Sequence, residues 1–458
     1  MKHSNFKSLG SRVFAFLFLT LFSIPVFAES YTLTLEEAIQ KAMDQSLNLK
    51  KSAVDLAQTG YASGRRWSEI FPGFSLSGTV NLLPATELFT DPGFSYNDDK
   101  LSYSFGLGVN LSLNPSLRAS MKRIELAYRS QLLSYENSKR QLEVQVIKSF
   151  LNLVAMKEDI AYRESYLAFS EQITARDRIA RANGVLSELA WLNSQLNAET
   201  ARYNLSSVRG NYQNSLGEFL SLLGMDAGME IVFQGTLKIA PVLYESERLI
   251  LEYLSRRPDI ISQRQNIERM ELSKSIAAWS ARSPSLNLSA RWGTPSAGIN
   301  FNDPFTDTVS GSVTLNIPID GWIPGTKQSQ TVRAADAEIE KARLDLQNTE
   351  TLAKTQIRSQ VSNLRQILEN IAIARRRVEI AQSTVNATDQ GFRNGTVEFR
   401  DLVDTHNKLS EARQQLLMGE LSYQSLLLDL AAALNVEWKT LTQPPAGGSL
   451  GETARDLP

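Results

Sequence analysis

An alternation of apolar and small polar residues runs through four segments of the chain. It is strict over Leu101–Asn114, where every second residue is apolar and the residues between are Ser, Gly or Asn. It is less regular over 72–82, 285–292 and 309–319. Because successive side chains of a β-strand point to opposite faces, the pattern predicts four strands, each with one apolar face and one small polar face.

The length and surroundings of these strands indicate a membrane. Each strand is about ten residues long, the length of a tilted strand across a bilayer. A half-buried sheet in a soluble protein gives the same alternation. Tryptophans at or just beyond the strand ends favour the membrane, because an aromatic girdle lies there: Trp67, Trp279, Trp292 and Trp322. The intervening segments, Leu83–Lys100 and Gly293–Thr308, are rich in Pro, Gly and Asp and are predicted to be external loops.

Most of the remaining chain has the spacing of long, paired helices. Apolar residues recur every seven positions at Leu402, Leu409, Leu416, Tyr423 and Leu430. Such a repeat is typical of coiled coils. The stretch 119–182 has no proline, and one helix through it would be about 95 Å long. Asn183-Gly184 and Asn394-Gly395 interrupt the helical pattern and predict two hairpin turns, because glycine accepts the left-handed conformation that ends a helix. A flexible break is the alternative.

The chain repeats its own plan at a displacement of 211 residues. Ala182-Asn183-Gly184 recurs as Arg393-Asn394-Gly395, and Gly224-Met225 aligns with Asn435-Val436. Chance similarity between coiled-coil segments is the alternative, but turns, prolines and helix ends stay in step, which favours an internal duplication. The predicted division is a signal peptide at 1–28, a first repeat at 29–225, an equatorial inter-repeat segment at 226–245, a second repeat at 246–436 and a polar tail at 437–458.

Composition disfavours several classes of function. The 458 residues include no cysteine and two histidines, so we expect no disulfide, no thiolate or histidine metal site and no lipoprotein anchor. The net charge of -1 gives no basic footprint for nucleic acid. A Ser-His-acid triad and a glycine-rich phosphate loop are also missing from the sequence. We therefore expect neither an enzyme nor a cofactor.

The N-terminus has the pattern of a secretory signal peptide. Lys2, Lys7 and Arg12 precede the apolar run Val13–Ile24, and Val26-Phe27-Ala28 supplies a cleavage site of small residues. We expect cleavage after Ala28. Beyond it, no uninterrupted apolar run reaches the roughly 18 residues that a membrane-spanning helix needs.

Several short motifs, through their order and spacing, resemble the TolC-type outer-membrane efflux protein family. They are Leu35-Glu36-Glu37-Ala38-Ile39, Phe71-Pro72, Arg257-Pro258-Asp259-Ile260, Ser283-Pro284 and Gly391-Phe392-Arg393-Asn394-Gly395-Thr396. The resemblance implies an α+β membrane protein whose duplicated repeat gives four transmembrane β-strands and a long α-helical coiled-coil tunnel. It also implies a homotrimer with a twelve-stranded β-barrel in the outer-membrane lipid of a diderm bacterium and a large periplasmic portion. Independently, four strands are too few to close a membrane barrel, whose minimum is about eight, so oligomerisation is expected.

The resemblance points to functional residues near the second turn. Asp401 and Asp404 match the acidic pair of the periplasmic constriction in TolC-like channels. Three residues apart on a helix, they share one face, and three copies would form a carboxylate ring that attracts cations. A solvated helix face is the alternative. Phe392 and Val397 stand where the family has the tyrosine and arginine of a polar latch, and Ala190 stands where it has an acidic partner, so closure through apolar packing is expected.

The two predicted turns are the expected docking surface for a partner. By the resemblance, Asn183-Gly184-Val185 and Asn394-Gly395-Thr396 face a periplasmic adaptor that is joined to an inner-membrane transporter. His406, two residues beyond Asp404, could add a pH-sensitive charge, but we interpret it as a packing or surface residue.

These interpretations predict a passive exit duct. It would carry small molecules or polypeptides across the periplasm and outer membrane, within a tripartite efflux pump or a type I secretion system. A non-conducting coiled-coil scaffold tethered to the outer membrane is the alternative, but it would not need strands whose inner face is small and polar. An enzyme is disfavoured by the missing catalytic groups.

Overall fold

The structure of the chain, a computed structural model, describes residues 31–82, 101–226, 229, 231–235, 241–293, 297–298, 308–442 and 452–453. The predicted signal peptide at 1–28 lies outside the described residues. So do the first predicted external loop and most of the second, together with most of the polar tail and part of the inter-repeat segment.

In both predicted repeats two helices precede two long strands, and two longer helices follow. The helices are α1 (Leu35–Gln45), α2 (Leu47–Gly64), α3 (Leu117–Ala182), α4 (Glu188–Leu222), α5 (Ser246–Tyr253), α6 (Pro258–Arg282), α7 (Lys327–Arg393), α8 (Phe399–Leu434) and α9 (Trp438–Thr442). The strands are β1 (Tyr31–Thr34), β2 (Gly73–Leu82), β3 (Leu101–Leu113), β4 (Ile231–Gln234), β5 (Val242–Leu243), β6 (Ser285–Gly293), β7 (Ala297–Gly298), β8 (Thr308–Asn316) and β9 (Glu452–Thr453).

One structural unit contains the described residues within Met1–Gln45 and Val146–Lys238. In it, β1 pairs in parallel with β4. Helix α1 begins with a capping box, in which the Thr34 N–H donates to Glu37 Oε2 at 3.0 Å and the Glu37 N–H donates to Thr34 Oγ1 at 3.3 Å. The rings of Phe150, Phe219 and Phe233 pack edge-on or tilted, with centroids 5.3 to 6.4 Å apart. This aromatic cluster joins the helices to β4.

The second unit contains the described residues within Ser46–Gln145 and Ile239–Pro458. Its main core lies between α7 and α8, where buried residues of α7 follow a four-three spacing: Ile357, Val361, Leu364, Leu368 and Ile371. Tyr423 of α8 is fully buried, and its hydroxyl accepts a hydrogen bond from the Val242 N–H at 3.2 Å. Burial raises the pKa of Tyr423. Of the seven-residue repeat predicted on α8, Leu402, Leu409, Tyr423 and Leu430 are buried and Leu416 is partly buried, so the repeat lies in the buried seam of this helix pair.

Helix α7 is much longer than an ordinary globular helix. Its 67 residues correspond to about 100 Å at 1.5 Å per residue. It begins at an N-cap, Thr326, whose hydroxyl accepts a hydrogen bond from the Ser329 N–H at 3.3 Å. It ends at Asn394-Gly395, where the sequence predicts a turn. The helix needs no other interruption because its sequence contains no proline.

The Arg257-Pro258-Asp259-Ile260 motif connects the start of α6 to α7 by hydrogen bonds. Arg257 is buried, and its guanidinium binds the Asp259 carboxylate through two hydrogen bonds, Nε to Oδ1 at 3.1 Å and Nη2 to Oδ2 at 2.7 Å. The same Nη2 donates to Gln356 Oε1 of α7 at 2.9 Å. Pro258 occupies the first helical position, where a missing N–H costs nothing. The motif thus sets where α6 begins and how it contacts its neighbour.

Strands β2, β3, β6 and β8 form one antiparallel sheet in that spatial order, and β7 pairs with β3. Directly opposed residues lie on the same face of an antiparallel sheet. The register sets Leu76 opposite Leu107, Leu107 opposite Trp292, and Leu288 opposite Val313, so the apolar faces of all four strands coincide. Within one chain this face is uncovered, since Leu76 is 79% and Val313 72% exposed.

The ends of the strands differ from the prediction by one residue at most, except for the end of β8, which comes three residues earlier. The sequence predicts β3 to end at Asn114, but it ends at Leu113. The predicted 309–319 strand ends at Asn316 instead. Pro318 has no N–H to donate to a neighbouring strand, and the chain then enters a 3₁₀ turn over Asp320–Trp322. The apolar alternation therefore continues past the hydrogen-bonded strand.

The four tryptophans of the predicted aromatic girdle lie near the two ends of this sheet. Trp67 lies in the 3₁₀ turn before β2, Trp279 lies in the last turn of α6 before β6, and Trp322 lies in the turn after β8. In this antiparallel sheet the start of β2, the start of β6 and the end of β8 lie at the same end, the one next to the helices. Trp292 lies near the opposite end, one residue before β6 ends. All four side chains are exposed.

Candidate functional site

The turn between α7 and α8 closes with the same hydrogen bonds as the turn between α3 and α4. In the second turn the Thr396 N–H donates to the Gly391 carbonyl at 2.9 Å, and in the first the Val185 N–H donates to the Ala180 carbonyl at 2.9 Å. Gly395 and Gly184 both have positive φ, +74° and +72°. This is the Schellman arrangement, in which a left-handed residue ends the helix. Both Asn-Gly predictions of a helix end are confirmed in the structure.

Phe392 and Val397, the predicted packing residues of the gate, pack within the second turn itself. The ring of Phe392 lies 6.1 Å from that of Phe399, between centroids. Val397 lies directly over Gly391, where a Cβ would come within 2.5 Å of Val397 Cγ2. A side chain at position 391 would displace Val397. The two residues therefore stabilise the shape of the hairpin tip.

Asp401 and Asp404 lie on the exposed side of the first turns of α8. Leu402, between them, is fully buried, which fixes the rotation of the helix and turns both carboxylates outward. Asp401 stands in the first turn, where the helix dipole favours negative charge. The structure thus brings the two predicted carboxylates together on one face.

Lys408, which our sequence reasoning did not select, is part of this cluster. Its Nζ lies 2.6 Å from Asp404 Oδ2, one helical turn away, and the hydrogen bond with Asp404 raises the pKa of Lys408. Within the described residues, Asp401 has no ion-pair partner within 4.0 Å. The i,i+4 spacing of Asp404 and Lys408 could have predicted this ion pair from the sequence. Of the two carboxylates, Asp401 is therefore the one whose charge is less compensated.

His406 is half-buried on α8. Burial lowers the pKa of His406, and the Asp389 carboxylate acts in the opposite direction. Burial disfavours the charged imidazolium because it removes water from around the ring. This placement agrees with interpreting His406 as a packing residue.

At the first tip, Arg181 ties the two helices together across the turn. Its Nε lies 2.5 Å from Glu188 Oε2, and its guanidinium lies 4.4 Å from the centroid of the Trp191 ring. Ala190 stands in the first turn of α4, where its N–H donates to the hydroxyl of the N-cap residue Ser187 at 3.2 Å. Beside the turn, Val185 is 81% exposed. This tip is a hydrogen-bonded turn with an exposed apolar residue at its end.

Comparison with known proteins assigns the family. The model of the family described as outer membrane efflux protein matches residues 38–225 and again residues 249–436, well over half of the chain. The chain belongs to the outer membrane efflux protein family. It is an outer-membrane transport protein, and its family consists of channels rather than enzymes.

Individual proteins are similar to the chain in sequence or in fold. Outer membrane protein TolC of Escherichia coli (strain K12) is 22% identical over 382 residues, covering 77% of this chain and 74% of TolC. A membrane protein from Pseudomonas aeruginosa has a TM-score of 0.70 at 19% identity, with 87% of this chain and 92% of that chain covered. The Campylobacter jejuni CmeC outer membrane channel has a TM-score of 0.68 at 17% identity, with 90% and 87% covered. The chain thus has the fold of TolC-like channels and is mostly helical.

Within the ranges that the structure describes, no helix combines the length and the apolar character of a membrane-crossing helix.

Proposed function

We propose that the protein is the outer-membrane exit duct of a tripartite efflux pump or type I secretion system. Three copies would join their sheets into a twelve-stranded barrel and their helices into a tunnel through the periplasm. The observation that carries the proposal is the sheet β2-β3-β6-β8, whose exposed apolar face suits lipid and whose other face, mainly Ser, Thr, Asn and Gly, suits a watery lumen.

The edges of this sheet support assembly from several copies. β2 and β8 are its outer strands, and each leaves one row of N–H and C=O groups without a strand beside it. In a bilayer such groups cost several kcal/mol each unless they are paired. Closure of the sheet by neighbouring copies removes both edges. The number of copies, three, follows the family.

The proposal is tested by measuring mass and conductance on one purified sample. Light scattering of the detergent-solubilised protein should give three chains per particle, and the same particles should form ion-conducting pores in a planar bilayer. A stable monomer that conducts would contradict closure by several chains. A trimer that never conducts would instead favour the non-conducting scaffold.

The hairpin tips are the proposed docking surface for a periplasmic adaptor that links the duct to an inner-membrane transporter. They end the long helices, and both present the same Schellman turn. Asn183, Gly184 and Val185 form one tip, and Asn394, Gly395 and Thr396 form the other. Because the two tips have the same backbone turn, one partner could bind both through similar contacts. Energy for transport would come from that partner complex.

Replacing Gly184 and Gly395 by Val should reduce export. Valine at a positive φ is strained by about 1–2 kcal/mol per site, so both tips should distort while the sheet and long helices remain. The measurement is export of a fluorescent substrate from cells that depend on this channel, with trimer and membrane fraction quantified alongside.

Gly210→Val is the matched control for both tips. Gly210 lies inside α4 with nothing within 4 Å of a Cβ and without a positive φ. Export should be unchanged in this variant. Normal export in the double tip variant, at equal channel abundance, would place docking elsewhere.

Asp401 and Asp404 are the proposed carboxylate ring at the periplasmic mouth. Three copies would bring six carboxylates together, with each Asp404 partly neutralised by its own Lys408. Phe392, Val397 and Ala190 are proposed to close the mouth by apolar packing. The two aromatic rings at Phe392 and Phe399 support this by holding the tip in one shape.

A further inference from the structure

Arg291 is the one charged residue within the four long strands that the structure describes, β2, β3, β6 and β8. It lies on β6 opposite Gly108 of β3 and Ser310 of β8. Its β6 neighbours Ala290 and Trp292 belong to the apolar face, so Arg291 belongs to the polar face. A cation on this face stands among Ser, Thr, Asn and Gly side chains.

A glycine makes room for the Arg291 side chain. A Cβ built on Gly106 of β3 would lie 2.8 Å from Arg291 Nε and 3.2 Å from Arg291 Nη2. The guanidinium therefore lies across the backbone of β3, at a position where any other residue would push it away. A side chain laid flat on the sheet keeps its charge close to the wall and leaves its N–H groups free to bind a solute.

Within the described residues, Arg291 has no ion pair within 4.0 Å, and the polar faces of the four long strands carry no Asp or Glu. Arg291 is the seventh of nine residues in β6, about 20 Å along the strand from its helix-side start at 3.4 Å per residue. Its charge therefore lies toward the end of the sheet remote from the helices.

We propose that three copies of Arg291 form a cationic ring in the outer part of the lumen, which favours the passage of anions and binds organic carboxylates or phosphates transiently. This rests on the proposed trimeric duct. A ring of like charges in a narrow pore concentrates the opposite ion, and guanidinium donors match the two oxygens of a carboxylate or phosphate. The ring opposes in sign the Asp401 charge at the other end of the duct.

Reversal potentials across a KCl gradient test the ring. In Arg291→Gln channels the chloride-to-potassium permeability ratio should fall by about threefold or more, whereas Arg291→Lys should keep most of the ratio because it keeps the charge. Asn287→Gln, a neutral change on the same face of β6, should leave the ratio unaltered. An unchanged ratio in Arg291→Gln trimers that conduct normally would overturn the ring and leave the duct intact.

A second measurement needs no variant. Citrate, a trivalent organic anion, should block the wild-type channel in a concentration-dependent way when added on the side of the external loops, and should block Arg291→Gln channels less. Absence of citrate block in the wild type would also overturn the ring. A wild-type protein that never conducts would overturn the proposed duct itself, and the ring with it.

Discussion

Replacing Val313 by Arg is expected to remove the protein from the outer membrane. Val313 lies in the middle of β8 on the apolar face, opposite Leu288, and is 72% exposed in the single chain. In the proposed barrel it faces lipid, where an arginine at the bilayer midplane costs about 2–4 kcal/mol. Three copies multiply that cost in each trimer. Membrane fractionation and light scattering of the detergent-solubilised protein measure the result.

The next residue supplies the matched control. Thr314 lies on the polar face, opposite Asn287, so Thr314→Arg should still assemble in the membrane. The two variants add the same side chain to the same strand, one position apart. Equal assembly of both, or loss of Thr314→Arg alone, would mean that the faces of the sheet have been assigned to lipid and lumen the wrong way round, or that the sheet does not face lipid.

Replacing Asp401 and Asp404 together by Ala is expected to weaken cation preference and abolish block by multivalent cations from the periplasmic side. Clustered carboxylates hold such an ion strongly at a narrow mouth, and the change leaves Lys408 without its partner. Because Asp404 is paired with Lys408, Asp401→Ala alone should account for most of the loss. Single-channel recordings with hexamminecobalt in the periplasmic chamber measure both quantities.

An acidic residue on a different part of the helix provides the comparison. Asp345 is exposed on α7, about 70 Å along that helix from the tip, and Asp345→Ala should leave selectivity and block unaltered. If the double variant keeps both its selectivity and its cation block, the carboxylates do not form the constriction. If Asp404→Ala reduces cation selectivity and cation block more than Asp401→Ala does, the ion pair between Asp404 and Lys408 is broken in the assembled channel.

The faces and approximate ends of the strands were readable from the sequence. Alternation over Leu101–Asn114 predicts β3, which spans Leu101–Leu113, and the less regular segment at 72–82 contains β2, Gly73–Leu82. Both are predictable because alternation is a local property of the extended chain. The last three residues predicted for β8 kept the alternation but not the pairing, since Pro318 cannot donate.

The long helices and their ends could also be predicted from local sequence. A seven-residue spacing marks the buried seam that holds Leu402, Leu409 and Tyr423, and glycine at a positive φ marks each tip. Asn435, 211 positions after Gly224, also adopts the left-handed conformation, with φ of 61° against 66°. Residue type at a helix end is a strong local signal because few residues tolerate that backbone conformation.

The sequence by itself therefore determined which residues share a face and where helices turn back, because these depend on neighbours within a few positions. Tertiary structure decided the strand order β2-β3-β6-β8 and the register that aligns four apolar faces. It also decided that Arg291 lies across Gly106, in another strand and 185 positions earlier in the chain. Such pairings join residues far apart in the chain, and only hydrogen bonding between strands and the packing of side chains across them selects one partner and register among many.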